Sequence, residues 1–123
     1  MISAKELNPH NYPTTPDVAA NLNNLLITMN KVRDAYGKPM IVTSGLRSDA
    51  DQARINPKAP KSNHILGLAC DVADPHGELW AWCMLNIPLF EALGVYFEDK
   101  NACPTWVHFQ IVAPKSGKRI FAP

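Results

Sequence analysis

Apolar residues recur with helical spacing between Thr15 and Gly37, and this pattern predicts the longest helix of the chain. The segment opens with a threonine cap, then Pro16 and the acidic Asp17, which together favour a helix start. It closes at Gly37, which is followed by a lysine and a proline that do not continue a helix. The apolar stripe consists of Val18, Leu22, Leu25, Leu26, Met29, Val32 and Tyr36. We expect this helix to support the core and to carry no chemistry.

Short apolar runs elsewhere predict strands at 40–44, 66–73, 95–98 and 106–112, with Ile120–Phe121 as an edge strand. The third and fourth runs are separated by a short polar loop, which predicts an antiparallel pair. A second helical region covers 78–86, breaks at a proline and resumes to Leu93, with Gly94 as its cap. These elements predict an α+β fold, with a small antiparallel sheet and helices packed on one side.

Two segments have no clear apolar period. Residues 1–15 are polar and contain two prolines, so we expect an extended N-terminal arm. Residues 45–63 form a long polar stretch with one short helical turn near 49–54, and loops of this length in small domains are typically functional. The 123 residues contain no repeat or linker, which predicts a single domain over 1–123.

Composition argues against several classes of protein. Apolar residues make up 46 % of the chain and charged residues 19 %, as in a folded domain. A formal net charge of +1 gives no overall field for nucleic acid or a membrane surface, and the basic cluster at 115–119 is interpreted as a solvated turn. No run approaches the roughly 18 apolar residues of a membrane span, and the start lacks a signal-peptide core. We expect synthesis in the cytoplasm and no membrane insertion.

The second predicted strand carries the main candidate for chemistry. Alternation places Asp71 on one face between two alanines, while Cys70 and its neighbours point to the core. The small alanine side chains leave space above Asp71 for a ligand or a metal. His64 precedes the strand, where a loop could fold its imidazole over Asp71, and Gly67 permits a close backbone approach or a positive φ.

A second histidine lies on the last long strand. His108 shares a face with Trp106 and Gln110, whereas Val107 and Phe109 point to the core. Two imidazoles and one carboxylate, with water in the fourth position, are the ligands of a catalytic zinc site. His64, Asp71 and His108 are therefore the candidate metal ligands.

The other reactive side chains favour structural roles. Ser44 has no paired base at a suitable spacing, so it is not a candidate nucleophile. His10 lies in the polar N-terminal segment and His76 in an Asp-Pro-His-Gly turn. The cysteines lack C-x-x-C spacing, which predicts reduced thiols rather than a disulfide framework: Cys70, Cys83 and Cys103.

The stretch Ser62-x-His64-x-x-Gly67-x-Ala69-x-Asp71, followed by Trp-x-His at His108, resembles the zinc D-alanyl-D-alanine carboxypeptidase family. This family also contains D-alanyl-D-alanine dipeptidases and the L-alanyl-D-glutamate endopeptidases of phage endolysins. The segment Ser44-Gly45-Leu46-Arg47 is similar to a family segment that follows its first strand. The resemblance runs from about residue 40 to residue 110.

The resemblance implies a DD-peptidase/Hedgehog-like fold with one zinc ion per chain, bound by His64, Asp71 and His108. It implies that Arg47 holds a carboxylate or carbonyl of the substrate, for which a guanidinium is well shaped; the alternative for Arg47 is a surface ion pair. The implied substrate is the stem peptide of peptidoglycan, cut by a monomeric, endolysin-like lytic enzyme. Both D-Ala-D-Ala and L-Ala-D-Glu bonds remain open as the bond that is cut.

One position departs from the family pattern. Many members have a catalytic acid three residues before the last zinc histidine, and here that residue is Thr105. If the protein is an enzyme, an acid must come from elsewhere, and the preceding strand ends in Glu98 and Asp99. We favour Glu98 as general base because it shares a face with Tyr96 and has the longer side chain; Asp99 is the alternative.

Two further hypotheses belong to different functional classes. Thr105 permits a zinc-bound but inactive module that binds peptidoglycan without cutting it. The other hypothesis is a metal-free structural domain. The metal content of the purified protein separates it from the zinc peptidase and from the inactive zinc-bound module.

Overall fold

The computed structural model describes residues 1–58 and 61–123. Their strands are β1 (Val42–Ser44), β2 (Ala69–Ala73), β3 (Tyr96–Glu98), β4 (Trp106–Gln110) and β5 (Ile120–Phe121). They form one sheet in the order β1-β2-β4-β3-β5. The first three pairings are antiparallel, and β5 lies parallel to β3. The α+β class is confirmed, and the sheet is mixed because the chain reverses after β4 and passes over β3 to reach the edge.

The helices are α1 (Ala4–Leu7), α2 (Pro16–Tyr36), α3 (Asp49–Ile55), α4 (Glu78–Leu85) and α5 (Ile87–Leu93). Helix α2 has the predicted ends, because the Thr15 hydroxyl accepts a hydrogen bond from the Val18 amide and Gly37 adopts a φ of 74°. The break between α4 and α5 lies at Asn86, just before the predicted position, and the proline falls in the first turn of α5, where a missing amide hydrogen costs no hydrogen bond. Among the described residues, no helix is both long enough and apolar enough to cross a membrane.

One face of the sheet carries the hydrophobic core. Cys70 and Val72 of β2 and Val107 and Phe109 of β4 are at most 1 % exposed, as strand alternation predicts. Helical residues in the same cluster are Leu7, Leu25, Met29, Val32, Leu79, Cys83 and Phe90. Helix α3 is the exception to the one-sided packing of helices, because its Gln52 lines a cavity on the opposite face.

The first residues do not form the extended arm that their polar composition suggests. Ser3 and Glu6 form a capping box at the start of α1. Ile2 and Leu7 are each only 1 % exposed and belong to the core. Asn30 of α2 accepts a hydrogen bond from the Ile2 amide at 2.8 Å and donates to the Ile2 carbonyl at 3.0 Å. Two isolated apolar residues give no periodic signal, so the sequence pattern could not reveal this docking.

Gly45 connects α1 to the loop that follows β1. A methyl group at this position would lie 2.2 Å from the carbonyl oxygen of Leu7. The next amide, that of Leu46, donates to the same oxygen at 2.7 Å. Only glycine lets the two backbones approach so closely. Helix α1 therefore supports the start of the long loop between β1 and β2.

We expect Gly45→Ala to lower the free energy of unfolding by about 3 kcal/mol, because the added methyl group meets backbone atoms that cannot rotate away. Gly117→Ala is the matched control: its methyl group has open space, and only its φ of 70° opposes the change, at a cost of about 1 kcal/mol. Denaturant unfolding monitored by tryptophan fluorescence measures both variants. A loss for Gly45→Ala no greater than that of the control would contradict the close packing.

Candidate metal centre

A row of side chains crosses the sheet on the face opposite the core. Strand register pairs Ser44 with Asp71, and Asp71 with His108. The pairing of β3 with β4, continued by one residue, brings Glu98 opposite His108, and Glu98 is paired in turn with Phe121. Directly opposed residues share a face of a sheet. We call these five residues, one from each strand, the transverse row.

Asp71 lies between two histidines, as the sequence predicts. Its Oδ1 atom is 2.9 Å from His108 Nδ1 and 3.3 Å from His64 Nε2. Asp71 and His108 are each 8 % exposed and His64 is 3 % exposed. The potential ligand atoms of the three residues all lie within 4.8 Å of one another. This group is close enough to hold a single metal ion, and we refer to it as the His/Asp/His cluster.

His64 reaches the cluster from the loop before β2. Its amide donates to the Ser62 hydroxyl at 3.1 Å, and its carbonyl accepts from the amides of Arg47 and Gly67 at 3.2 and 3.4 Å. Gly67 has a φ of 73°, and a methyl group there would lie 2.9 Å from the side chain of Leu22. Gly67 therefore has the positive φ and the close approach that its place in the sequence suggests.

In each histidine, one ring nitrogen is bonded to a partner outside the cluster, and the other nitrogen is the one that can face a metal. His64 Nδ1 lies 2.9 Å from the Gly45 carbonyl oxygen, which can only accept, so Nδ1 donates and Nε2 faces Asp71. His108 Nε2 lies 2.9 Å from Gln110 Oε1, and the Gln110 amide nitrogen donates to a backbone carbonyl at 2.8 Å. That bond fixes the Gln110 oxygen as the acceptor. The atoms left to bind a metal are thus His64 Nε2, Asp71 Oδ1 and His108 Nδ1. The Gly45 carbonyl and the Gln110 side chain orient the two rings through the opposite nitrogens.

The charges of the cluster shift two pKa values in opposite directions. Burial alone would raise the pKa of Asp71, but hydrogen bonds from His108 and His64 outweigh burial and hold this pKa well below its ordinary value. Burial alone would lower the pKa of His108, but the hydrogen bond and charge of Asp71, with the charge of Glu98, raise it. Metal-free Asp71 is therefore a carboxylate, and a proton and a metal ion compete for His108.

Arg47 lies against the same carboxylate. Its Nη2 atom is 3.4 Å from Asp71 Oδ2, its Nε donates to Ser44 Oγ and its Nη1 to Gln52 Oε1, both at 3.0 Å. The side chain is 14 % exposed, so Arg47 is not the surface ion-pair residue of the alternative reading. Three contacts hold the guanidinium in one place, where it balances the charge of Asp71.

A cavity of about 840 Å³ opens over the transverse row. Glu98 has the one carboxylate side chain besides Asp71 among its described lining residues. Glu98 Oε1 lies 3.8 Å from His108 Nε2, and Glu98 Oε2 accepts a hydrogen bond from Cys103 Sγ at 3.0 Å. The structure thus brings the favoured acid beside the cluster. The other charged or amide side chains on the wall are Arg47, Gln52, Asn56, Lys61, Asn63, Gln110 and Lys115.

The competing positions for an acid lie outside this cavity. The Asp99 carboxylate accepts from the Asn101 amide at 3.5 Å, and the Asp99 amide donates to the Phe121 carbonyl at 2.8 Å. Asp99 therefore opens the turn after β3. Thr105 is exposed, and its carbonyl accepts from the Asp74 amide at 2.9 Å. Neither side chain lines the described wall of the cavity.

Two contacts around the site were not predicted from the sequence: that of Gln110 with His108 and that of Cys103 with Glu98. Gln110 carries a usable signal, because alternation puts it on the same face as His108. Cys103 carries none, since its contact with Glu98 joins a strand end to a loop. The other predicted roles agree with the structure: His10 and His76 are exposed, and all three cysteines are buried and free.

Comparison with known proteins adds a family assignment. The family model described as Peptidase M15 matches residues 3–100. The match contains Arg47, His64, Asp71 and Glu98, and it ends before His108, the third member of the cluster. No curated protein and no solved structure matches the chain.

We expect Gln110→Ala to weaken the binding of Zn²⁺ about 10- to 100-fold, because the ring of His108 loses the acceptor that orients it. Gln110→Glu keeps an acceptor at this position and should bind nearly as tightly as the parent. Asn24→Ala, which shortens an exposed side chain on α2, is the control. Competition with a chromophoric chelator measures all four affinities, and equal binding by Gln110→Ala and the parent would refute an orienting role.

Proposed function

Because the chain belongs to the peptidase M15 family, we propose that it is a zinc-dependent peptidase that hydrolyses an amide bond in the stem peptides of peptidoglycan. The observation that carries this proposal is the buried cluster of His64, Asp71 and His108 in the wall of a large cavity. The family membership supports metallopeptidase chemistry acting on cell-wall peptides in general. The identity of the metal and the roles of individual residues are our proposal.

The donor atoms of the cluster suit zinc. Two imidazole nitrogens and one carboxylate oxygen are a ligand set of catalytic zinc sites, which keep a further position open. The bonds from His64 to the Gly45 carbonyl and from His108 to Gln110 are the kind of support that ligating histidines receive. We propose one zinc ion per chain. Held by these three residues, the ion would supply Lewis-acid chemistry, by making water a better nucleophile near neutral pH and by polarising the carbonyl to be cleaved.

Glu98 is our candidate for the general base. Its position opposite His108 in the transverse row supports this role, because it places the carboxylate on the cavity wall beside the cluster. Glu98 would accept a proton from the attacking water and return it to the leaving amine. Asp99 is less suitable, since its carboxylate is directed into a turn.

Arg47 is our candidate for substrate positioning. A fixed guanidinium on the cavity wall can bind a carboxylate or carbonyl of the substrate at a set distance from the cluster. Lys61 and Lys115 add positive charge to the same wall, which suits acidic stem peptides. The resemblance in the stretch 62–71 supports a wall-lytic role of the endolysin type, with either the D-Ala-D-Ala or the L-Ala-D-Glu bond as the target.

A second candidate function is a zinc-bound module that binds peptidoglycan and does not cleave it. Thr105 favours this reading, because many family members have an acid at that position and a threonine hydroxyl is no base near neutral pH. Both candidates share the zinc site and the ligand, so cleavage alone separates them.

We expect the purified protein to contain one zinc ion per chain, and His64→Ala, Asp71→Ala and His108→Ala each to weaken zinc binding by at least about 100-fold, because each removes a ligand. Elemental analysis measures the zinc content per chain, and competition with a chelator measures the zinc affinity of each variant. His76→Ala, which changes an exposed histidine in a turn, is the control. A metal-free parent protein, purified without chelator, would support the structural-domain hypothesis instead.

We expect the zinc-loaded protein to cleave purified muropeptides, and Glu98→Gln to retain zinc while losing about 100-fold or more in kcat, because the amide cannot accept the proton. Asp99→Asn is the matched control and should keep most of the activity. Mass spectrometry of the products identifies the bond at the same time. Binding of muropeptides without any cleavage would favour the inactive module, and full activity in Glu98→Gln would remove Glu98 from the mechanism.

A further inference from the structure

Cys103 makes a specific contact that the mechanism above does not use. Its Sγ atom lies 3.0 Å from Glu98 Oε2, and it is the only hydrogen-bond partner of the Glu98 carboxylate among the described residues. Cys103 is 3 % exposed and lies in the loop between β3 and β4, where its amide donates to the Lys100 carbonyl at 3.1 Å. The backbone of this loop therefore fixes the sulfur beside the strand end.

The direction of the hydrogen bond follows from the chemistry of the two groups. An ionised carboxylate only accepts, so the thiol donates. Burial raises the pKa of Cys103, and the hydrogen bond to Glu98 and the negative charge of Glu98 raise it further. The thiol therefore keeps its hydrogen at neutral pH and remains a donor.

The contact gives the two carboxylate oxygens of Glu98 different surroundings. Oε2 is engaged by the thiol, while Oε1 lies 3.8 Å from His108 Nε2. The Glu98 side chain is 16 % exposed and lines the cavity. Glutamate has three rotatable side-chain bonds, so ordering its carboxylate costs rotamer entropy. A partner that fixes one oxygen supplies part of that ordering before substrate binds.

We propose that Cys103 is a positioning residue, whose thiol holds the Glu98 carboxylate in the orientation that the hydrolytic step requires. This inference rests on the proposed role of Glu98 as general base. Cys103 itself does not touch the substrate and forms no covalent bond. Its contribution is geometric, and loss of a general base from its productive orientation lowers kcat more than KM.

The alternative is that Cys103 only fills space, as buried cysteines commonly do. Cys83 supplies the comparison within the same chain. It is fully buried in the hydrophobic core cluster and has no contact with Glu98 among the described residues. A packing role predicts the same behaviour for both cysteines, whereas a positioning role predicts a difference in catalysis.

Infrared spectroscopy of the S–H stretch tests the contact without any use of activity. We expect the difference spectrum between the parent and Cys103→Ser to contain an S–H band lowered in frequency by the bond to a carboxylate. Glu98→Gln should move this band back toward the position of a weakly bonded thiol. A Cys103 band that does not respond to Glu98→Gln would overturn the inference, whatever the protein cleaves.

Kinetics on muropeptides tests the consequence. We expect Cys103→Ala and Cys103→Val, which lack a donor, to lose about 10- to 100-fold in kcat with little change in KM or zinc content. Cys103→Ser retains a donor and should keep kcat within about threefold of the parent, and Cys83→Ala should lower the unfolding midpoint and leave kcat unchanged. Valine preserves volume, so it serves if the alanine variant does not fold.

The outcomes separate this inference from the proposed function. Equal kcat values for the donor-free variants, the serine variant and an active parent would overturn the positioning role. An equal loss in the serine and donor-free variants would also overturn it, because retention of a donor would then have no effect. A parent protein that binds zinc and cleaves nothing would refute the proposed function, and with it the catalytic purpose of the contact, even if the infrared band responds to Glu98.

Discussion

The burial of one negative charge, the carboxylate of Asp71, is the constraint on which the rest of the site depends. An unpaired carboxylate in this position would cost several kcal/mol. The chain compensates it with His64, His108 and Arg47, which lie 3.3, 2.9 and 3.4 Å from its oxygens. These partners come from three different segments: the loop before β2, the strand β4 and the loop after β1. Compensation of this single charge thus fixes the relative positions of three segments. It also creates a cluster in which a divalent cation could balance the charge of Asp71.

The same constraint extends to the N-terminus through the backbone. The ring of His64 is oriented by the Gly45 carbonyl, and Gly45 packs against the carbonyl of Leu7 so closely that no side chain fits between them. Leu7 in turn is fixed because it is buried in the core. A polar segment that is far from the cluster in sequence therefore contributes to its geometry. Backbone contacts thus connect α1 to the loop that carries His64.

The spacing of small and polar residues was sufficient to predict that His64 lies near Asp71, and strand alternation placed His108 on the same face as Asp71. These features are local, since they depend on residues within one strand or its adjacent loop. Three others depend on contacts between distant segments: the register that sets Asp71 opposite His108, the docking of Ile2 and Leu7, and the bond from Cys103 to Glu98. No period or motif encodes such contacts, because each is decided by how two segments pack.

The place of the acid follows from the geometry of an antiparallel sheet. Residues at odd separations along a strand point to opposite faces, so an acid three residues before His108 can reach the cluster only if the chain leaves the strand there. In this protein the Thr105 carbonyl is bonded to the Asp74 amide, which keeps that position in line with β2 and its side chain exposed. The neighbour of His108 on β3 has no such obstacle, because opposed residues share a face. His108 therefore lies between Asp71 on one side and Glu98 on the other. This placement supports our proposal that Glu98 is the acid of a site in which Thr105 occupies the position where many family members have one.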